Sequence, residues 1–272
     1  MPSKSQQAGA LLYREYREKK PYSLMKTELA PISDSEAYDV QKEFMLLRAQ
    51  DSGGYSGYKI AYTTKLMQER VGASEPVFGR ILSDSVHQSP ASLKAKNYVN
   101  LAVECEVAVK MGSNLETKGE GLDRDSIFEA IEYLQLAFEL VDIRQSLAEN
   151  SLIQSIATNI HGAGVVLGEP IRNWRELDIP SATCELKLDG TLAGTGCASD
   201  VNGHPVEPMV WIANAINSMG GLLKKGDIVI TGSMIPPIEV KAGVKASLQM
   251  DLLGSITSVS YTHLTMPTIC SV

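Results

Sequence analysis

The sequence predicts a mixed α+β protein, because helical patterns dominate its first part and alternating, turn-rich segments dominate its second. That order favours an α+β fold over the repeated strand–helix units of a parallel α/β fold. Of the 272 residues, 44% are hydrophobic and 21% are charged, which are ordinary values for a globular chain. A chain of this length buries enough surface to fold without disulfides or structural metals.

Two helices are predicted first. Residues 6–20 place apolar side chains at helical spacing, and Pro21 ends that run. Ser33 is followed three residues later by Glu36, the pattern of a capping box. We therefore expect a second helix that includes residues 37–47.

Shorter segments follow in the next part of the chain. Tyr58–Thr63 combines β-branched, aromatic and small residues and predicts a strand. Residues 64–71 predict a helix that ends at Gly72. Residues 79–84 predict a short strand or turn.

The middle block alternates in polarity. Around 101–109, apolar side chains occupy one face of a predicted strand, and Glu104 and Glu106 occupy the other. Residues 123–145 are predicted to run helical and to become apolar towards their end. In the C-terminal half we predict strands at 183–189, 192–198 and 227–232 and a helix at 207–220.

Charge and composition exclude several classes of protein. The chain has 25 Lys and Arg against 32 Asp and Glu, a formal charge of −7. Since no dense basic run carries interleaved aromatics, we expect no nucleic-acid partner. No apolar stretch is long enough to span a bilayer, and the first ten residues do not resemble a signal peptide. Four cysteines at long, irregular gaps predict free thiols in the cytoplasm and no cysteine-rich zinc site.

Glu104 and Glu106 are the most informative acids. Residues i and i+2 of a strand point to the same side, and paired carboxylates need a cation, a proton or solvent. Two interpretations stay open, a divalent metal site and an exposed strand face. Glu139 adds a third acid inside an apolar segment, with Asp142 close by, although it could instead be a helix-end acid paired with Arg144. An all-oxygen site favours Mg²⁺ or Mn²⁺ over Zn²⁺.

Several motifs, in a specific order, resemble a known family. They are Gly57-Tyr58-Lys59-Ile60, Glu104-x-Glu106, Glu139-Leu-Val-Asp142, Gly203-His204-Pro205, Trp211-Ile212-Ala213-Asn214 and Gly226-Asp227-Ile228-Val229-Ile230-Thr231-Gly232-Ser233. Over residues 8–257 the chain resembles the 2-oxopent-4-enoate (2-hydroxypenta-2,4-dienoate) hydratases, within the fumarylacetoacetate hydrolase superfamily.

This resemblance implies an N-terminal α/β portion, assigned to residues 1–90, and a C-terminal mixed β-roll that holds the metal, assigned to 91–258. Residues 259–272 match no part of the family pattern, and we expect them to lie outside the fold. The resemblance also implies a cytoplasmic homo-oligomer in aromatic-compound catabolism. Association with a decarboxylase or aldolase of the same pathway is a further expectation.

The resemblance also implies the site residues. Glu104, Glu106 and Glu139 would hold Mg²⁺ or Mn²⁺, and Lys59 would meet a small 2-hydroxy or 2-oxo acid or shuttle its proton. Lys59 could instead extend to solvent from its apolar strand. Asp84 matches an acidic family position and could orient Lys59 or a water, or it could cap a loop.

Thr231, Gly232 and Ser233 follow a predicted buried strand. A glycine there lets backbone N–H groups approach an anion, and Ser233 adds a hydroxyl. We therefore expect these three residues to bind substrate, and a simple turn is the alternative.

The resemblance implies that the reaction is hydration of a 2-hydroxydienoate to a 4-hydroxy-2-oxo acid. The sister 4-oxalocrotonate decarboxylases are the nearest alternative, although they tend to carry a second glycine within the stretch occupied here by 231–233. A C–C hydrolase of acylpyruvates is less favoured, because no histidine precedes His87. A non-catalytic paralogue that binds a 2-oxo acid or serves as a complex subunit is the remaining alternative.

Tyr62, Val77 and Thr158 depart from the family pattern and could signal a different substrate.

Overall fold

The computed structural model describes residues 1–116, 121–145 and 151–261. Its α-helices are α1 (Lys4–Arg17), α2 (Asp34–Ser52), α3 (Lys65–Val71), α4 (Arg124–Ala130), α5 (Leu152–Ala157) and α6 (Pro208–Ser218). Its strands are β1 (Tyr55–Ala61), β2 (Val77–Leu82), β3 (Val86–Gln88), β4 (Ala91–Lys94), β5 (Leu101–Met111), β6 (Ile131–Asp142), β7 (Gly162–Leu167), β8 (Thr183–Leu188), β9 (Thr191–Cys197), β10 (Ile228–Glu239), β11 (Lys245–Met250) and β12 (Gly254–Tyr261). The α+β prediction is confirmed.

Helix α2 begins at the predicted cap, Ser33, and extends past the predicted residues 37–47 to Ser52. The Ser33 hydroxyl accepts a hydrogen bond from the Glu36 amide at 3.2 Å, which satisfies one of the free N–H groups of the first turn. Gly53 ends the helix in the left-handed region, with φ of 71°, where glycine avoids the steric penalty of a Cβ atom. The same two devices, Thr64 and Gly72, bound α3.

The prediction of one helix over 123–145 is wrong. Helix α4 ends at Ala130, and β6 begins at Ile131. Strand β6 lies between β5 and β7 and is buried along most of its length. A strand buried on both faces is apolar at nearly every position, so it shows no alternation from which a strand could be recognised.

A seven-stranded sheet, in the order β2-β1-β10-β5-β6-β7-β3, carries the candidate site. Its edge strands β2 and β3 are joined by only the short turn Ser83–Ser85, and β2 also contacts β7. Since consecutive strands lie at opposite ends of the hydrogen-bonded order, the sheet must curl until its edges approach. The inner face of this curl collects side chains from strands that are not neighbours.

A five-stranded sheet, in the order β4-β12-β11-β8-β9, packs against the other face. Alternate residues of β5, such as Val103 and Val107, share one apolar cluster with Leu186 and Leu248 of this second sheet. The N-terminal helices and α5 form a separate apolar cluster on the opposite side. The sheet is therefore covered on both faces.

The domain assignment stays a prediction. Strands from both sides of residue 90 share the seven-stranded sheet. Strand β12 continues to Tyr261 and pairs there with β4, three residues beyond the predicted end of the fold at 258. The rest of the predicted tail, 262–272, lies outside the described residues. No helix in the described part of the chain is both long and apolar enough to cross a bilayer.

Candidate metal centre and active site

Three carboxylates meet on the inner face of the curled sheet. Glu104 and Glu106 project from β5, and Glu139 of β6 lies directly opposite Glu104 in the antiparallel ladder. Strand alternation therefore places all three on one face. One oxygen of each carboxylate lies within 4.8 Å of the others. Glu106 and Glu139 are buried and Glu104 is half-buried, so the alternative of an exposed strand face is wrong.

Burial and mutual repulsion raise the affinity of these acids for protons. Burial, and then the neighbouring Glu139 carboxylate, raises the pKa of Glu104 to about 8. Burial, followed by the charges of Glu139 and Glu104, raises the pKa of Glu106 well above its usual range. A cluster of this kind needs protons or a cation to balance its charge.

Lys59 supplies one positive charge to the cluster. It lies on β1 and is buried, and its ammonium forms an ion pair with Glu139 across the curl of the sheet. It also donates to the Ile160 carbonyl at 2.9 Å. Burial alone would lower the pKa of Lys59, but the carboxylates of Glu139 and Glu104 outweigh that effect and raise it. Lys59 is therefore a charged ammonium, and the alternative that it extends to solvent is wrong.

Two glycines make room for the Lys59 stem. A Cβ atom at Gly79 would lie 3.1 Å from the Lys59 Cγ, and one at Gly162 would lie 3.2 Å from its Cδ. Both distances are tighter than ordinary van der Waals contact. The lysine is held in a channel that larger residues would narrow.

The turn Asn159–His161 aims a carbonyl at Lys59. Asn159, Ile160 and His161 have φ of 59°, 49° and 58°, a left-handed conformation that is strained for a β-branched residue such as Ile160. The Asn159 side chain holds the turn, since it accepts from the Arg80 amide at 2.7 Å and donates to its carbonyl at 3.0 Å. The sequence prediction missed this turn, although Asn is among the residues that tolerate left-handed backbone.

Thr231, Gly232 and Ser233 lie in β10 beside the cluster. The Gly232 amide donates to the Glu106 carboxylate at 2.8 Å, so the anion it approaches is a protein side chain. The Thr231 hydroxyl donates to the Val107 carbonyl at 3.1 Å. The Ser233 hydroxyl lies 2.5 Å from the Ile235 carbonyl. These contacts place the three residues next to the carboxylates, and their role in substrate binding stays a prediction.

Among the described residues, Asp84 forms no hydrogen bond or ion pair with the lysine that it was expected to orient. It is exposed, in the short turn between β2 and β3, and it lines a cavity of about 290 Å³. The Lys59 ammonium is held instead by Glu139 and Ile160. Its predicted role in orienting Lys59 or a water stays a prediction.

The three departures from the family pattern have ordinary structural contacts. The Tyr62 hydroxyl lies 3.1 Å from the Ser155 hydroxyl. The Thr158 hydroxyl donates to the Gln154 carbonyl at 2.9 Å, as a helix-end residue does. Val77 is buried in the apolar cluster beneath the N-terminal helices.

The sequence prediction missed the buried Arg48 and named Arg144 only as a possible partner of Glu139, whereas Arg144 pairs with Asp142. Arg48 of α2 and Arg144, just beyond β6, both line the 290 Å³ cavity. A signal for Arg48 was present, because it lies four residues after Phe44 and so continues the predicted apolar face of the helix. A charged residue at a buried helical position is uncommon unless it is paired or functional.

The three glutamates fit a hard divalent cation. All the donors are carboxylate oxygens, and hard cations such as Mg²⁺ and Mn²⁺ prefer oxygen ligands. The Oε2 atom of Glu139 is buried and has no hydrogen-bond partner among the residues that the structure describes, a state that is costly for an ionised oxygen. A bound cation would supply the missing partner.

Comparison with known proteins supports the family assignment. No protein-family model matches the chain. It is 28% identical to the 2-hydroxyhexa-2,4-dienoate hydratase of Comamonas testosteroni over 245 residues, which are 86% of this chain and 91% of the relative. It is also 28% identical to the 2-oxo-hept-4-ene-1,7-dioate hydratase of Escherichia coli, over 83% of this chain and 86% of that protein. The chain is a homologue of the 2-keto-4-pentenoate hydratases.

Solved structures show the same fold. The 4-oxalocrotonate decarboxylase of Pseudomonas putida G7, complexed with magnesium and adipate, superposes with a TM-score of 0.86 at 19% identity, over 94% of this chain and 97% of that one. The fumarylpyruvate hydrolase of Pseudomonas aeruginosa, in complex with Mn²⁺ and pyruvate, gives a TM-score of 0.58 at 14% identity, over 76% and 89% of the two chains. The fold is that of the fumarylacetoacetate hydrolase superfamily, as the sequence motifs predict.

Proposed function

We propose that this protein catalyses the metal-dependent hydration of a 2-hydroxydienoate, or its 2-oxo tautomer, to a 4-hydroxy-2-oxo acid. The observation that carries the proposal is the cluster of Glu104, Glu106 and Glu139 beside the buried ammonium of Lys59. The proposal is also supported by homologues at 24–28% identity over most of the chain, which are named as hydratases.

Glu104, Glu106 and Glu139 are proposed to hold Mg²⁺ or Mn²⁺. When bound, such a cation would supply positive charge to the carboxylate and adjacent oxygen of a 2-oxo acid. The Gly232 amide fixes one oxygen of Glu106, which orients the carboxylate before the ion arrives. Outer contacts of this kind commonly contribute 10- to 100-fold to metal affinity.

Lys59 is proposed to deliver a proton or to neutralise charge on the substrate. Two of its three N–H donors are used by Glu139 and the Ile160 carbonyl, which leaves a third for the substrate. Its raised pKa keeps it charged at neutral pH, so it suits the role of donor better than that of base. Asp84, at the cavity lining, is proposed to meet the entering substrate or water.

Hydration can be tested directly. Freshly generated 2-hydroxypenta-2,4-dienoate would be followed by loss of absorbance with Mg²⁺, with Mn²⁺ and with EDTA, and the product would be weighed by mass spectrometry. We expect metal-dependent loss and a product heavier by one water. A stable absorbance with this substrate and its longer analogues, despite bound metal, would contradict the proposal and leave a non-catalytic 2-oxo-acid-binding role.

The decarboxylase alternative gives a different product. A decarboxylase would release CO₂ from 2-oxohex-3-enedioate, so CO₂ measured alongside the hydration assay separates the two reactions. We also propose a cytoplasmic homo-oligomer, on the resemblance alone. Light scattering of the purified protein would give the subunit count, and co-purification with a pathway decarboxylase or aldolase would test association.

A further inference from the structure

Arg48 is a buried cation for which the described part of the chain supplies no anionic partner. Only 6% of the residue is exposed. Its described contacts are the Met45 sulfur at 4.0 Å and the rings of Tyr16 and Phe44. Within the described residues no carboxylate pairs with it, and its Nε atom has no hydrogen-bond partner. Since burying an unpaired charge costs several kcal/mol, a ligand that pairs with it is the economical explanation.

A second arginine places a further hydrogen-bond donor at the same place. The guanidinium carbons of Arg48 and Arg144 lie 4.0 Å and 4.9 Å from the centre of the Tyr16 ring. Arg144 uses its Nε to bind Asp142 at 2.7 Å, but its buried Nη2 has no partner within 1–116, 121–145 and 151–261. Asp142 also accepts from the backbone amide of Val99 at 2.7 Å, so this acid is fully engaged.

The arginines and the carboxylate cluster belong to adjoining spaces. Arg48, Ser85 and Gly162 line the 290 Å³ cavity and also a narrower recess, whose wall includes Lys59 and Glu139. The two spaces therefore adjoin at these residues, and Arg48 lies where the far end of a ligand would be if its head lay at Lys59 and Glu139. The acid that remains in the cavity lining, Asp84, is exposed to solvent.

We infer that the substrate is a dicarboxylic acid, a 2-hydroxy or 2-oxo enoic acid whose distal carboxylate binds Arg48, with Arg144 as the neighbouring donor. The inference rests on the proposed function, since it assumes that the 2-oxo acid head lies at the glutamates and Lys59. A guanidinium matches a carboxylate with two parallel N–H···O bonds. A monocarboxylic substrate would instead bring an apolar end to an unpaired buried cation, which is unfavourable.

Two saturated probes test the distal site by binding alone. 2-Oxoadipate and 2-oxohexanoate share chain length and the 2-oxo acid head, and they differ only in the distal carboxylate. We expect calorimetry with the Mn²⁺-loaded protein to show 2-oxoadipate binding about tenfold more tightly or better. Equal affinities in the wild-type protein would overturn the inference, whatever the behaviour of any variant.

Variants assign the preference to Arg48. Arg48→Met removes the charge and should equalise the two affinities, whereas Arg48→Lys keeps a charge and should retain part of the preference. Arg70→Met, at an exposed position of α3, is the matched control and should change neither. If Arg48→Met retains the preference for 2-oxoadipate, Arg48 is not the distal site. If Arg48→Met does not fold, Arg48→Lys still decides. A preference for 2-oxoadipate as large as that of the wild-type protein would show that Arg48 is not the distal site, and a reduced preference would support it.

Turnover separates this inference from the proposed function. A protein that hydrates 2-keto-4-pentenoate as efficiently as 2-oxohept-4-ene-1,7-dioate would keep the proposed function and overturn the dicarboxylate inference. A protein that hydrates neither, yet prefers 2-oxoadipate in the binding assay, would overturn the proposed function and retain the distal site.

Discussion

At the scale of single residues, Glu106 combines burial with a hydrogen bond from a backbone amide. It is buried, and its carboxylate receives the backbone amide of Gly232 from the adjacent strand. That amide can bond equally well to a neutral glutamine oxygen, so removing the charge at this position should leave the local structure in place. The metal would lose a charged ligand while the fold remains intact.

We therefore expect Glu106→Gln to reduce metal-dependent turnover by roughly 100-fold or more without lowering the melting temperature. Steady-state kinetics across a Mn²⁺ titration, with circular dichroism melts, would measure both effects. Glu132→Gln is the matched control, because Glu132 is an exposed acid of β6. Normal activity with normal metal dependence would show that Glu106 is not a ligand.

Lys59 permits a complementary test. Lys59→Met keeps the length of the buried stem but removes the ammonium, so we expect turnover to fall by about 100-fold or more while Mn²⁺ still binds. Calorimetric Mn²⁺ titration separates the two readouts. Lys65→Met, on the exposed side of α3, should change neither, and a fully active Lys59→Met would remove this lysine from the proposed chemistry.

The sequence predicted part of this site for a physical reason. Glu104 and Glu106 are visible because strand alternation is local, and acids two residues apart must share a face. Glu139 was assigned through the resemblance, because its own segment was predicted to be helical. Arg48 and the Ile160 carbonyl lie near the site only because the sheet curls. A short stretch of sequence does not reveal that curl.

At the scale of elements, β1 depends on its close approach to β10. A Cβ atom at Gly57 would lie 1.8 Å from the Ile228 carbonyl oxygen, and Gly57 has φ of 151°. Only glycine allows the two parallel strands this spacing. The position also sets Lys59, which lies two residues further along the same strand.

We expect Gly57→Ala to destabilise the protein by about 2–4 kcal/mol, through steric overlap and backbone strain. Urea unfolding would measure the loss. Gly53→Ala is the control, since Gly53 also has a positive φ but meets no atom within 4 Å, and it should cost about 1 kcal/mol. Equal effects of the two substitutions would mean that contact with β10 is not what requires Gly57.

Secondary structure was predicted best where signals are local. The caps of α2 and α3 and the alternation of β5 follow from neighbouring residues. The assignment of β6 failed because its central position removes the polar face from which a strand is recognised. Burial of that strand results from the topology, which the sequence pattern of 123–145 does not express.

At the scale of the whole molecule, the carboxylate cluster links stability to pH. The pKa of Glu104 rises from about 4.5 when exposed to about 8 when folded. The folded metal-free protein therefore binds more protons than the unfolded chain in this range, so its stability decreases as pH rises. His161 acts in the opposite direction, since burial, followed by the charge of Lys59, lowers its pKa to about 4. Its effect ends above pH 6.5, where it is neutral in both states.

We therefore expect the melting temperature of the EDTA-treated protein to fall between pH 6.5 and 8. The rise in melting temperature caused by Mn²⁺ should grow over the same range, because a cation replaces the protons. Differential scanning fluorimetry would follow both. Glu104→Gln should flatten the metal-free profile, and a wild-type profile that rises with pH would contradict the assigned linkage.

The pairing of β1 with β10 also determines how late in synthesis the site can form. Gly57 pairs with Ile228 and Lys59 pairs with Ile230, so the strand that carries the lysine leaves the ribosome long before its neighbour does. Glu106 likewise cannot accept its hydrogen bond from the Gly232 amide until Gly232 has been synthesised. Pairing between strands that are far apart in the sequence slows folding, and a strand that is still unpaired can pair incorrectly. The charged cluster can therefore be completed only near the end of translation, when nearly the whole chain is available.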